Sequence, residues 1–271
     1  MQLHTEGLTI RYANHDVVHN LHLEVPIGKI TALVGSNGSG KSTILKTIAR
    51  ILTPRMGTVY LDGKSIHNLP SKQVAQQLAI LPQTPEAPEG TTVEQLVGFG
   101  RFPYLKGIRG LSSKDREIIN WAIERTGLDS FRNQPIDELS GGQRQRAWIA
   151  MALAQDTEIL LLDEPTTYLD MAHQHEVLLL LQKLNEEQER TIVMVVHDLN
   201  HASRFAHHMI SIHNGGIYSQ GSPDEVMTTD MLRNVFRIDA DIIQDPRLKV
   251  PLCIPYEVLS NEQEKTKVAV G

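Results

Sequence analysis

Ile30-Thr31-Ala32-Leu33-Val34-Gly35-Ser36-Asn37-Gly38-Ser39-Gly40-Lys41-Ser42 is the stretch that decides the fold. A short apolar run ends in a glycine cluster, and Ser42 to Leu52 then carries helical spacing. Strand, glycine loop and helix in that order, with Gly-Lys-Ser closing the loop, match a phosphate-binding P-loop. Glycines let the backbone wrap closely around an anion, so that successive N–H groups and the helix N-terminus face it. Lys41 is placed to reach the β- and γ-phosphates as a point charge, and the Ser42 hydroxyl to join a Mg²⁺ shell. Gly35, Ser36, Asn37, Gly38, Ser39, Gly40 and Thr43 complete the expected cradle for ATP. A cradle by itself leaves GTPases, small-molecule kinases, helicases and motors open.

Working outward, Leu8 to Tyr12 and Leu21 to Val25 alternate apolar and polar residues and read as half-buried antiparallel strands, with Asn14-His15-Asp16 as the turn. Pro54 and Gly57 stop the first helix. Thr58 to Leu61 and an Asp62-Gly63 turn follow, and Ser71 to Ile80 reads as a further helix. Pro82 to about Gly90 is an exposed loop, and the pattern from there to about Ala154 is helical. Strand and helix then alternate: Glu158 to Leu162, Met171 to Leu184, Thr191 to Val196, Leu199 to Ala206, Met209 to His213. Such alternation implies an α/β fold with a mainly parallel sheet covered by helices. The tail opens on the helix cap Ser222-Pro223-Asp224-Glu225, and Asn261 to Lys267 is a polar segment expected to fray.

Bulk properties narrow the classes. The formal charge of −6 argues against a partner held by nonspecific phosphate-backbone attraction, so no nucleic acid is expected. One cysteine, Cys253, excludes an internal disulfide and any multi-cysteine metal site. The opening residues carry no secretory pattern, and the longest apolar runs fall short of the roughly 18 to 20 residues that span a bilayer. The chain is expected in the cytosol, serving a membrane only through a partner.

Glu158-Ile159-Leu160-Leu161-Leu162-Asp163-Glu164 delivers two adjacent carboxylates to the C-terminal end of a strand, the ligand-facing edge of an open α/β sheet. Because side chains alternate along a strand, the two should not share a task. Asp163 suits a Mg²⁺ shell and Glu164 suits polarising a water for attack on the γ-phosphate. In Leu139-Ser140-Gly141-Gly142-Gln143, Ser140 caps a helix whose N-terminal amides stay free, and the paired glycines remove side chains that would block a phosphate.

Together with the P-loop, this pentapeptide resembles the signature of the ABC ATPase family, and the likeness extends over nearly the whole chain. The resemblance implies a P-loop NTPase of ABC type with an antiparallel β subdomain and a helical subdomain, and an ATPase coupled to transport. It divides one nucleotide-binding domain, 1–271, into a RecA-like core with the β subdomain at 1–89 and 155–221, a helical subdomain at 90–154, and a C-terminal helical tail at 222–271. Tyr12 corresponds to the aromatic that stacks on adenine, although an edge tyrosine needs no ligand. Gln83 resembles the loop glutamine that touches Mg²⁺ or the attacking water, and His197 the switch histidine at the γ-phosphate. Asp170 belongs to a loop carrying contacts across a dimer, and it also suits the N-cap of the helix from Met171.

In this family the P-loop of one chain and Ser140, Gly141, Gly142 and Gln143 of another grip the same ATP. The implied partners are therefore a second copy or a paralogous ATPase subunit, two transmembrane permease subunits and, indirectly, an extracytoplasmic substrate-binding protein. The implied location is the cytoplasmic face of the cell membrane. Gly98 to Tyr104, together with Asp163 to Asp170 and His197-Asp198-Leu199-Asn200, resembles importers of ferric siderophores, haem and cobalamin, most closely the FhuC- and FecE-like ferric siderophore group. The Phe99 to Tyr104 loop is expected near the permease. ABC ATPases acting on nucleic acid insert long coiled coils or zinc modules, and ribosome-binding ones carry two cassettes; here there is one P-loop and one signature.

Overall fold

The structure is a computed structural model that describes residues 1–12, 15–105 and 110–259. The chain opens with β1 (Leu3–Tyr12), β2 (His15–Leu21) and β3 (Glu24–Val25), then enters β4 (Ile30–Val34) and α1 (Lys41–Ile48). β5 (Met56–Leu61) and β6 (Lys64–Ser65) return to β1 and complete an antiparallel sheet of order β2-β1-β5-β6, with β3 also on β1. Asn14 of the expected turn lies outside the described residues, and His15 already belongs to β2.

Next come α2 (Ser71–Ala75) and β7 (Leu78–Leu81), then the helical layer α3 (Val93–Phe99), α4 (Ser113–Arg125) and α5 (Gly141–Ala154). Each helix of that layer starts on a reciprocal capping box, formed by Thr92 with Gln95, Ser112 with Asp115, and Ser140 with Gln143. The chain then alternates through β8 (Ile159–Asp163), α6 (Met171–Gln188), β9 (Thr191–Val195), α7 (Leu199–Phe205), β10 (His208–His213) and β11 (Gly216–Gly221). These strands form a six-stranded sheet of order β11-β10-β4-β9-β8-β7, parallel throughout except for β11.

Both faces of the sheet are buried at its central strands β4, β8 and β9. Alternate residues of the central strands (Ala32, Leu160, Leu162, Ile192, Met194) join the core under the helical layer, and the intervening ones (Leu33, Ile159, Leu161, Val193, Val195) join Ile44, Leu45 and Ile48 of α1 beneath the antiparallel sheet. A strand covered on both faces reads as a near-continuous apolar run, as β4, β8 and β9 do.

Two expectations are corrected. The expected helix Ser71 to Ile80 ends at Ala75, and Leu78–Leu81 is the edge strand paired with Ile159–Leu162. A four-residue apolar run has no period to separate strand from helix, and a tertiary partner decides it. Gln155 seals the break by donating its amide to Ala75 O at 2.6 Å and Leu78 O at 3.0 Å. Among its described residues, the tail expected to be helical keeps only α8 (Pro223–Val226) and α9 (Thr229–Met231), the latter continuing as a wider turn over Leu232–Phe236. β12 (Ile238–Gln244) and β13 (Pro251–Val258) then form an antiparallel hairpin. Alternation in Ile238-Asp239-Ala240-Asp241-Ile242 favours the strand, and Asp245 turns the chain by accepting the N–H groups of Arg247 and Leu248, both at 2.8 Å. The hairpin docks on α7: Asn200 pairs with both backbone groups of Cys253, at 2.7 and 3.1 Å, and Ser203 donates to Pro251 O at 2.6 Å. Asn261 to Lys267 lies outside the described residues.

Candidate functional site

Four neighbouring parallel strands, β4, β9, β8 and β7, end side by side, and each hands over one polar segment at its C-terminal end. β4 leads into the glycine loop, β9 into His197, β8 into Asp163 and Glu164, and β7 into Gln83. In an open α/β sheet this is where ligands bind.

The glycine loop is built for close backbone approach. Gly35 has φ +148°, and a methyl group there would sit 2.2 Å from Ile212 O. Gly40 has φ +104° and opens α1 without a side-chain cap, leaving the first N–H groups of the helix free to face an anion. Lys41, buried, curls over the loop and donates to Gly35 O at 2.8 Å and Ser36 O at 2.9 Å. Burial lowers its pKa against the pull of Glu164 and Asp163. A cleft of about 160 Å³ lies against Asn37, Gly38, Lys41, Ser42, Glu164 and His197.

Asp163 has no solvent exposure. Its Oδ1 accepts from the Ser42 hydroxyl at 2.7 Å, while Oδ2 has no hydrogen-bond partner and lies 3.9 Å from Lys46 Nζ. Burial raises its pKa, opposed by the Ser42 bond and Lys46. A buried, unpartnered carboxylate oxygen beside a serine hydroxyl is a hard-oxygen donor pair, which fits Mg²⁺ completed by phosphate oxygens and water.

Glu164 leaves the strand in the left-handed region, with φ +55°. A non-glycine residue there costs about 1–3 kcal/mol, and the turn takes its carboxylate off the alternation of β8. It is gripped from three sides: His197 Nε2 lies 2.6 Å from Oε1, and Oε2 accepts from Gln83 Nε2 at 2.6 Å and from the Thr167 hydroxyl at 2.9 Å. Burial pushes its pKa up, but the contacts with His197, Thr167 and Gln83 outweigh burial and hold it below the usual glutamate range. A charged carboxylate held beside the phosphate loop has the geometry of a water-activating base.

The structure thus gathers Lys41, Ser42, Asp163, Glu164, His197 and Gln83. Tyr12, Ser140, Gly141, Gly142, Gln143 and Asp170 do not line the cleft. Tyr12 is exposed near the end of β1. Ser140 and Gly141 are exposed at the start of α5, and Asp170 caps α6 by accepting from His173 N–H at 2.9 Å. The sequence reading missed Thr167 and Lys46. Their only signals were an i+3 spacing from Glu164 and an i+4 spacing from Ser42, which mean nothing until the turn after β8 and the face of α1 are known.

Comparison with known proteins gives the family. The sequence model described as ABC transporter matches residues 18–167. The iron(3+)-hydroxamate import ATP-binding protein FhuC of Bacillus subtilis (strain 168) is 56% identical over 266 residues, 98% of this chain and 99% of that protein. The ferric enterobactin transport ATP-binding protein FepC of Escherichia coli (strain K12) is 44% identical, over 94% of each chain. Among solved structures, the dimeric post-hydrolysis state of the ATP-binding cassette MJ0796 bound to ADP and Pi has a TM-score of 0.71 and 29% identity, covering 81% of this chain and 98% of that one. The chain belongs to the ABC transporter family, as one of its ATP-binding, ATP-hydrolysing subunits.

Proposed function

We propose that the chain powers import of a ferric siderophore, with two nucleotide-binding chains closing over ATP and two permease subunits carrying the cargo. The observation that supports the chemistry best is the grip on Glu164 by His197, Gln83 and Thr167 beside the P-loop. Full-length likeness to iron(3+)-hydroxamate and ferric enterobactin import proteins supports the cargo class.

In this reading Lys41 and the free amides of the loop and α1 hold the β- and γ-phosphates. Ser42 and Asp163, with Gln83, would hold Mg²⁺, which neutralises charge building on the phosphate oxygens. Glu164 takes the proton of the attacking water, which requires it to be ionised, and its depressed pKa favours that state. His197 orients Glu164 and can turn to the γ-phosphate, while Tyr12 stacks on adenine. The second chain brings Ser140, Gly141, Gly142 and Gln143 to the same phosphate, with Asp170 bridging the two chains.

Among the described residues no helix is long and apolar enough to cross a membrane, in keeping with a subunit that works on the cytoplasmic face beneath its permease. The docking loop is Phe99 to Tyr104. Arg101 anchors it from within by donating to Ala154 O at 2.8 Å and Asp115 at 2.9 Å, which leaves Phe102 exposed beside a cavity of about 580 Å³ also lined by Phe99 and Leu111.

The test is uptake of radioactive iron, supplied as individual ferric siderophores or as haem, and of cobalt-labelled cobalamin in cells carrying Lys41→Ala or Glu164→Gln at the chromosomal locus. Loss of uptake for ferric hydroxamates, with haem and cobalamin uptake intact, is the expected result. Loss confined to haem or cobalamin would move the cargo to that class, and unaltered uptake of all three would remove it.

A further inference from the structure

The two signature glycines sit in different surroundings. Gly141 is exposed, whereas Gly142 is buried against its own chain. A methyl group on Gly142 would lie 2.4 Å from Cδ2 and 2.8 Å from Cγ of His173, so the imidazole rests on the bare Cα of the glycine. His173 is in the first turn of α6, in the nucleotide-binding core, and Gly142 is in the first turn of α5, in the helical layer. The ring therefore fills the joint between the two layers.

Its far side is also fixed. His173 Nδ1 lies 2.8 Å from Asp170 Oδ1, the oxygen that also accepts the His173 N–H. The next residue, Gln174, donates its amide to Leu169 O at 3.0 Å and Thr166 O at 3.3 Å, pinning the loop that carries Asp170. Leu169 in turn approaches the other signature glycine, with Cδ2 3.8 Å from where a methyl group on Gly141 would stand. Tyr168 on the same loop is 89% exposed, and Met171, the first residue of α6, is 82% exposed.

We propose that His173 is a positioning residue whose ring sets the spacing between the signature helix and the Asp170 loop, so that one chain offers both segments to a partner chain as a single preformed surface. Gly142 is then bare on its Cβ side to admit the imidazole of its own chain, while its N–H, like that of Gly141, stays available to a partner chain's nucleotide. This rests on the reading of Ser140 to Gln143 as the segment that closes over a second chain's ATP. A methyl group on buried Gly142 therefore needs the ring, whose side chain is 37% exposed, to leave its place against the signature helix.

The experiment is a double-mutant cycle in the full-length chain with Gly142→Ala, His173→Ala and the pair, reading ATPase kcat and KM, with nucleotide binding measured separately by a fluorescent ATP analogue. Neighbouring residues that share one space give non-additive effects. Gly142→Ala should lower kcat about 10-fold or more, and His173→Ala about 3-fold, with analogue binding at the P-loop unchanged within about 2-fold. In the His173→Ala background, Gly142→Ala should cost no more than about 2-fold. His173→Asn, which keeps a donor for Asp170 but removes the ring, should accept Gly142→Ala equally well, and thermal melting of every variant separates misfolding from misplacement.

A loss on Gly142→Ala that is the same with and without His173 would mean the glycine is bare for the nucleotide, and the proposal would fail. Wild-type kcat in His173→Ala would overturn it as well. Failure of the underlying reading looks different: a Glu164→Gln chain that stays monomeric in ATP removes the second chain, whatever the cycle gives.

Discussion

Asp163→Asn should stabilise the nucleotide-free protein while disabling it. Asp163 has no solvent exposure, and its Oδ2 has no hydrogen-bond partner. A buried acceptor left unpaired costs about 1–3 kcal/mol, more when charged than when neutral, so the amide should relieve about 1–2 kcal/mol. Against that stands the attraction of Lys46, which is partly exposed and 3.9 Å away and is worth about 0–1 kcal/mol. The net gain is about 1 kcal/mol, or a rise in Tm of roughly 2–4 °C for a chain of this size. The sign with pH follows from the raised pKa of Asp163 in the fold. The wild-type carboxyl is protonated in both states well below the ordinary aspartate pKa and carries no penalty there. As pH rises through the folded pKa, stability is lost, and it levels off above. Thermal melting without nucleotide or divalent ions should therefore show Asp163→Asn ahead at neutral pH, with the gap closing in acid. A variant less stable than wild type at neutral pH, or an equal gain in acid, would refute this account of the unpartnered oxygen.

Thr167→Val removes one donor from Glu164, whose folded pKa lies below its ordinary value. The acid limb of the ATPase pH profile should move upward, and the stability this carboxylate contributes above its unfolded pKa should fade at a higher pH as acid is added. Arg101→Ala strands the nearly buried Asp115 and should cost about 3–5 kcal/mol in chemical denaturation, with fluorescence as the probe. Asn200→Ala frees both backbone groups of Cys253 and should cost about 1–2 kcal/mol, seen as faster hydrogen exchange in β12 and β13 with the central sheet still protected.

Where the chemistry sits was legible because it depends on local order along the chain. A strand that ends in Gly-x-x-x-x-Gly-Lys-Ser, and another that ends in two carboxylates, carry their meaning in a few consecutive residues, as does the serine that caps the start of α5. Runs without a period were another matter. Leu78–Leu81 joined the sheet only because β8 offered it an edge, and the tail became a hairpin because α7 presented Asn200 and Ser203 to the outer edge of β13.

By itself the sequence determined the identity and spacing of the phosphate cradle, the carboxylate pair and the signature, since each is a short segment read by its own backbone. Tertiary structure decided how these segments meet: that four adjacent strand ends bring Gln83 and His197 onto Glu164, that Thr167 joins them, and that Gly142 is covered by His173. Such contacts join residues far apart in the chain, or on helices and turns whose relative pose is set by burying both faces of the sheet, and a linear pattern holds no record of that pose.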